Sequence, residues 1–250
     1  MGVIDEPVRI PRLAFLTAWE LAAAGPPHPV LGINDYYMTD EFRSELQRRT
    51  LDILAGLGLA AHGSLTWRFR ETLTAIARAD RQVYSWTGGP SDEDSGAILV
   101  AALGADAVRL VTDGQVVALD PVAAGLLAEH LVETLPDVPG APVRTITVWR
   151  SELTGPGEPA DPLAGRSTGP AGRLRELMSA ERDAVHQLYT AIRGGDGVRR
   201  RSTPLSAIDL TGQGRVLTFA EAGAGEERIH LISGTPGNLV ASLGAAQQRL

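Results

Sequence analysis

The chain has 250 residues, of which 44% are hydrophobic, so it can bury a full core as one large domain or two small ones. All 23 basic residues are arginine and there is no cysteine. This excludes Schiff-base and phosphate-loop lysines, thiol nucleophiles, thiolate metal sites and disulfides. The net charge of -7 disfavours broad contact with nucleic acid or anionic lipid, because both need a basic surface.

The sequence carries no recognisable targeting or membrane signal. Residues 1–11 lack the apolar core of a secretory signal, and no stretch approaches the roughly 18 consecutive apolar residues of a membrane-spanning helix. We therefore expect a cytoplasmic protein without membrane insertion.

Apolar residues at helical spacing predict three helices in the first eighty residues. The first covers 12–24 and is stopped by a Gly-Pro-Pro segment. The second and third begin at good N-cap residues, which are Thr39 or Asp40 for one and Ser64 or Thr66 for the other. After the third helix the apolar period changes to two, which is typical of strands.

Two stretches about 115 residues apart then repeat one plan, in which strand-like runs lead to a cap residue, a proline and a helix. The first stretch consists of strands at 82–86, 97–103 and 107–119, the pair Asp120-Pro121, and a helix over 122–135. The second consists of strands at 205–210, 215–220 and 228–232, the pair Thr235-Pro236, and a helix over 238–248. The repeat indicates a pseudo-symmetric α+β domain.

Glycine and proline mark the connections between these elements. Asp113-Gly114 predicts a two-residue type I′ hairpin turn, and the acidic segment Gly88 to Gly96 predicts a mobile, solvated loop. A Gly/Pro-rich connection at 154–172 has no apolar period, so we expect it to be partly disordered. It would join two halves, about 1–150 and 171–250, of a single domain that covers 1–250.

A strand is predicted over 143–149, and apolar residues in 173–193 share one face when the segment is drawn as a helix. This pattern predicts one long amphipathic helix closed by Gly194-Gly195, which must pack on its own core or on a partner.

Motifs that carry catalytic or cofactor chemistry are absent from the sequence. There is no nucleophile elbow, no zinc-protease motif and no dinucleotide-binding glycine pattern. The five histidines stand apart in the sequence, without a second histidine at metal-ligand spacing, and they are His28, His62, His130, His186 and His230. We therefore expect no catalytic site, no metal and no cofactor.

The run Arg199-Arg200-Arg201 is a compact basic cluster directly before a strand. One interpretation is a nucleic-acid site, but the acidic balance and the lack of interleaved aromatic residues argue against it. The other is a row of edge-strand arginines that discourages aggregation between sheets, which we favour.

A pocket between the two halves is an alternative functional centre. Asp209, Arg215, His230 and Tyr84 are the polar groups that could converge there to bind a small molecule or to act as an enzyme.

Three segments resemble motifs of the EspG family of actinobacterial type VII (ESX) secretion. They are D-R-Q-V-Y-S-W at 80–86, R-R-R-S-T-P-L-S-A-I-D at 199–209 with G-R-V at 214–216, and the closing Thr235-Pro236 with its amphipathic helix. Their order and spacing agree with the family over nearly the whole chain. Ala207 stands where the family usually has tryptophan, and Ile229-His230-Leu231 replaces a phrase that usually contains one.

The resemblance implies a central antiparallel β-sheet with pseudo-two-fold symmetry, flanked by two helical bundles. It also implies a cytosolic chaperone or adaptor, without catalytic residues, that binds the apolar tip of a secreted PE–PPE heterodimer and keeps it soluble for export. The oligomeric state stays open.

We expect the partner surface to combine the second half of the sheet with the helix over 173–193. The expected contact residues are Arg199, Arg200, Arg201, Leu205, Ala207 and Asp209. Leu205 is expected to be an exposed apolar anchor, with the arginines at the rim.

Overall fold

The computed structural model describes residues 2–32, 38–91, 95–154, 169–223 and 225–250. Its helices are α1 (Arg12–Leu21), α2 (Asp40–Gly56), α3 (Trp67–Arg78), α4 (Leu127–Val132), α5 (Arg150–Thr154), α6 (Pro170–Ser179) and α7 (Pro236–Gln248). Its strands are β1 (Val8–Pro11), β2 (Ala60–Ala61), β3 (Ser64–Leu65), β4 (Arg81–Gly88), β5 (Gly96–Leu103), β6 (Asp106–Thr112), β7 (Val116–Pro121), β8 (Ile146–Trp149), β9 (Arg182–Arg193), β10 (Arg199–Arg201), β11 (Leu205–Leu210), β12 (Gly214–Ala222) and β13 (Glu227–Ser233).

Eleven strands of the described chain form one antiparallel sheet. Its order is β1-β7-β6-β5-β4-β9-β11-β12-β13-β8, and β10 pairs with the end of β9. The central neighbours are β4 and β9, in which Tyr84 lies directly opposite Tyr189. From this pair, β4-β5-β6-β7 extends to one side and β9-β11-β12-β13 extends to the other. The fold is therefore α+β with a central antiparallel sheet, as predicted.

Helices cover both faces of this sheet. On one face α1, α2 and α3 pack on the first four-strand run, and α6 packs on the second. On the opposite face α4 and α7 cover the centre, where their leucines pack against Val83, Leu188 and Leu217. The buried side chains thus form three clusters, which together hold the two runs of strands in one layered structure.

Local capping residues set the helix starts that the sequence predicts. The hydroxyls of Thr39, Thr66 and Thr235 each accept a hydrogen bond from the backbone N–H three residues later, at 3.3 to 3.4 Å. Pro236 occupies the first turn of α7, where the missing N–H costs nothing. The predictions for α1, α2, α3 and α7 are confirmed, and β8 confirms the strand expected at 143–149, in a shorter form.

The long helix predicted over 173–193 is wrong. Only α6 is helical, and from Arg182 the chain forms β9, which pairs with β4 on one side and with β11 on the other. The segment contains Val185, Tyr189 and Ile192, which are branched or aromatic side chains that favour strands. Pairing along both edges outweighs the helical spacing of these apolar residues. β9 therefore joins the three predicted strands β11, β12 and β13, so that the second run has four strands.

The helix predicted over 122–135 is also mostly wrong. Asp120 and Pro121 end strand β7, and α4 covers only Leu127–Val132. The carboxylate of Asp120 does not cap a helix, because it accepts two hydrogen bonds from Arg109 on the neighbouring strand β6, at 3.0 and 3.1 Å. A cross-strand ion pair has replaced the predicted N-cap.

The hairpin predicted at Asp113-Gly114 is confirmed, but its turn is not type I′. Thr112 pairs with Val117, so four residues lie in the loop, and of its two predicted central residues only Gly114 has a positive φ, of 88°. The carboxylate of Asp113 instead accepts hydrogen bonds from the N–H groups of Gln115 and Val116, at 2.9 and 2.8 Å. This side-chain turn closes the loop without a second left-handed residue.

Two other predictions fall partly or mostly on residues that the structure does not describe. They concern the mobility of the acidic loop, whose residues 92–94 are not described, and the disorder of the connection, whose residues 155–168 are not described.

Candidate functional site

The arginine run forms strand β10, which folds back on the end of β9. The turn is built by Asp196, whose carboxylate accepts a hydrogen bond from Val198 N–H at 3.0 Å, and by Gly197, which has a φ of 74°. In the resulting register Arg199 lies opposite Arg193, and Arg201 lies opposite Ala191. Because side chains alternate along a strand, Arg199 and Arg201 share one face and Arg200 lies on the other.

Two of these arginines stack on tyrosines at the centre of the sheet. The guanidinium carbon of Arg199 lies 5.2 Å from the ring centre of Tyr84, and that of Arg201 lies 5.0 Å from that of Tyr189. The two tyrosine rings are themselves stacked, with centroids 5.2 Å apart, and Trp86 contacts both edge-on. Cation–π contacts therefore fix two arginines against aromatic residues that come from other strands.

Arg200 has a different environment. It is exposed and forms an ion pair with Asp196 at 2.5 Å. An exposed pair of this kind contributes little to stability. Arg200 can therefore leave Asp196 and contact a partner at the surface.

The expectation that Leu205 is an exposed anchor is wrong. Leu205 and Ala207 are 3% and 0% exposed and belong to the cluster beneath α7. Strand β11 lies between β9 and β12, so neither of its edges is free. Of the six expected contact residues, the structure places only the three arginines at or near the surface, and it buries Leu205, Ala207 and Asp209.

Asp209 belongs to a buried polar network that crosses four strands. Arg215 donates to its two carboxylate oxygens at 2.5 and 2.9 Å, and His186 Nε2 lies 3.1 Å from Oδ2. His186 Nδ1 lies 2.9 Å from the hydroxyl of Thr87, and Arg215 also donates to the carbonyl of Pro136 at 3.0 Å. The network thus joins β4, β9, β11 and β12 across the centre of the sheet.

The electrostatics of this network favour the ionised form of Asp209. Burial alone would raise the pKa of the carboxyl group, but hydrogen bonds from Arg215 and His186 outweigh burial and lower the pKa to about 2. Both carboxylate oxygens are occupied by these donors, so the network is closed to further ligands.

The alternative set of Asp209, Arg215, His230 and Tyr84 does not converge. Only Asp209 and Arg215 meet, and sequence reasoning missed their partner His186 because it placed that residue in a helix. His230 stacks on Phe219 and contacts Thr147, while Tyr84 lies in the aromatic cluster. Among the described residues no group of His, Asp and Glu side chains has the arrangement of a metal site.

A partly exposed aromatic surface lies on strands β12, β13 and β8, at one edge of the sheet. It consists of Trp149 on β8, Phe219 on β12, and Arg228 and His230 on β13, and we call it the outer-strand patch. Trp149 is 39% exposed, and the guanidinium carbon of Arg228 lies 4.7 Å from its ring centre. Phe219 and His230 are stacked with centroids 5.0 Å apart. The patch joins apolar rings to a cation, which is the composition of a protein-binding surface.

The fold and these surfaces define an α+β protein with a continuous antiparallel sheet, a closed polar network at its centre and an aromatic patch near one edge. The EspG family model matches residues 11–245, and the chain therefore belongs to the EspG family. No curated protein sequence matches the chain. Within the described ranges, no helix is long and apolar enough to cross a membrane.

A solved structure shares this fold at low sequence identity. It is the Mycobacterium tuberculosis type VII secretion system chaperone EspG5 in complex with the PE25-PPE41 dimer. The TM-score is 0.72 with 14% identity, and the match covers 96% of this chain and 95% of that chain.

Proposed function

We propose that this protein is a cytoplasmic chaperone of type VII secretion that binds the apolar tip of a PE–PPE-like heterodimer and keeps it soluble for export. The observation that carries the proposal is the family match over residues 11–245. Its support is the fold shared with EspG5, a chaperone whose structure contains the PE25-PPE41 dimer. In this proposal the two halves, about 1–150 and 171–250, act as one domain.

The protein acts by binding and not by catalysis in this proposal. The one buried cluster that joins a hydroxyl, a histidine and a carboxylate among the described residues is the network of Thr87, His186 and Asp209. Arg215 occupies both oxygens of Asp209, which supports a structural role for the whole group.

The outer-strand patch is the surface that we assign to the partner. Its rings supply apolar area at little conformational cost, and Arg228 supplies a charge at the rim. Arg200 is exposed, lies in the same half of the chain and shares a face of the sheet with the patch, so it acts as a further rim group that sets orientation and on-rate. Arg201 lies on the opposite face and is not part of this surface. The surface is supported by the neighbouring strand β11, which is held in the sheet by the buried residues Leu205, Ala207 and Asp209.

A pair of tryptophans allows a matched test of this assignment. Trp149 lies in the patch, and Trp67, which is 57% exposed, lies on α3 in the other half. We expect Trp149→Ala to weaken binding of a PE–PPE heterodimer from the same genome by about 2 kcal/mol, or roughly thirtyfold, if Trp149 is a hot spot. Trp67→Ala should leave the affinity unchanged. The measurement is calorimetry with the purified heterodimer, after circular dichroism shows that both variants fold.

Two outcomes of this experiment have different meanings. If Trp67→Ala weakens binding and Trp149→Ala does not, the partner surface is on the first half and the assignment of the face is wrong. If the wild-type protein binds no PE–PPE heterodimer from its genome and does not keep one soluble on co-expression, the chaperone function itself is wrong.

A further inference from the structure

A cavity of about 620 Å³ lies away from the outer-strand patch, on the face of the sheet that carries α1 to α3. Its walls are the proline-rich segment after α1, the end of α3, and the paired ends of β9 and β10. Three arginines line it, namely Arg78, Arg193 and Arg199, and its lining contains no aspartate or glutamate. The cavity is therefore positively charged, although the protein as a whole has a net charge of -7.

None of the three arginines has a carboxylate partner among the described residues. Arg193 donates to the carbonyl groups of Gly197 and Ala77, at 2.9 and 3.3 Å, and its Nε is buried without an acceptor. The Nε of Arg199 is likewise buried without an acceptor. Arg78 is exposed at the end of α3 and makes no described contact. No described carboxylate therefore neutralises the positive charge of these three guanidinium groups.

Arg199 is held in place by its surroundings. Its Nη2 lies 2.7 Å from His28 Nε2, and its guanidinium lies on the ring of Tyr84. Burial and the charge of Arg199 lower the pKa of His28 to about 3, so the imidazole is neutral at physiological pH. In the tautomer that carries the proton on Nδ1, its Nε2 accepts this hydrogen bond from Arg199. The neutral histidine therefore fixes the orientation of Arg199 without cancelling its charge.

Gln82 also lines the cavity. It is 3% exposed, and its Oε1 has no hydrogen-bond partner among the described residues. The side chain of Gln82 is therefore part of the wall of the cavity and offers no accessible acceptor to a ligand.

We propose that this cavity binds the phosphate group of a small organic molecule. Guanidinium groups from α3, β9 and β10 offer more donors than the two oxygens of one carboxylate can accept, and their planar forks match the several oxygens of a phosphate. The proline-rich wall leaves space beside the phosphate for the rest of the molecule. The proposal concerns the free protein, so it stands or fails independently of the secretion partner.

The test is calorimetric titration of the full chain, at low salt, with inorganic phosphate, pyrophosphate and acetate in separate experiments. Wild-type protein should bind pyrophosphate and phosphate with measurable heat, and acetate much more weakly. Arg78→Gln and Arg199→Gln should each raise the dissociation constant for pyrophosphate about tenfold or more.

Arg70→Gln is the matched control, because Arg70 is an exposed arginine of α3 that does not line the cavity. It should change the dissociation constant less than about twofold. Because Arg78 makes no described contact, its variant is expected to fold, which circular dichroism would check for all three. The proposal is overturned if wild-type protein binds neither phosphate nor pyrophosphate at millimolar concentration, if acetate binds as tightly as pyrophosphate, or if Arg70→Gln weakens binding as much as Arg78→Gln does.

Discussion

The two faces of the central sheet use arginine in opposite ways. On the face covered by α4 and α7, Arg215 is buried and bound to both oxygens of Asp209. On the opposite face, Arg199 and Arg201 lie on tyrosine rings and have no carboxylate partner among the described residues. A closed ion pair holds strands together, whereas an arginine fixed on an aromatic ring keeps its charge for a ligand.

The largest change in stability is expected from a substitution in the closed network. Arg215→Met should destabilise the protein by about 3 to 5 kcal/mol, because it leaves the carboxylate of Asp209 buried and without its cation. Arg200→Met, which removes an exposed pair, should cost less than about 1 kcal/mol. Urea denaturation followed by circular dichroism measures both.

The double variant Asp209→Leu/Arg215→Met tests whether the loss of stability comes from the unpaired carboxylate of Asp209. It should recover part of the lost stability, since an apolar pair leaves no uncompensated charge. Equal stability of Arg215→Met and the wild-type protein would show that the network contributes nothing to holding the four strands.

A smaller loss of stability is expected when the pH is lowered. The pKa of Asp209 is about 2 in the folded protein and 3.8 as an ordinary value, so the folded state favours the ionised form. The stabilisation from this depressed pKa is present above about pH 4 and is lost as pH falls through the folded-state value, and it amounts to about 2 kcal/mol.

Comparison with Asp209→Asn isolates this contribution. We expect the variant to be less stable than the wild-type protein at neutral pH, and the difference between the two should shrink as pH falls from about 4 towards about 2. A difference that stays constant over that range would mean that the carboxylate of Asp209 is not selectively ionised in the fold.

The parts of the fold that depend on local chemistry could be predicted from the sequence. Thr39, Thr66 and Thr235 cap helices through hydrogen bonds that span three residues, so the signal lies within a few positions of the helix start. Resemblance to the EspG family supplied the class of protein, and the match over residues 11–245 bears it out.

The parts that depend on distant neighbours could not be predicted in this way. The apolar residues of β9 fit helical spacing as well as a strand, and only pairing with β4 and β11 decides between them. Leu205 is buried because α7, more than thirty residues later, packs over it. The misassigned β9 in turn hid His186, so the network was reduced to Asp209 and Arg215, which face each other across one hairpin.

The most direct test of the proposed function is hydrogen exchange of the protein with and without a PE–PPE heterodimer from the same genome. The account predicts slower exchange on binding in β8, β12 and β13, which carry the outer-strand patch, and little change in α2 and α3. Slower exchange confined to α1, α2 and α3, with none in the outer strands, would contradict the assigned surface.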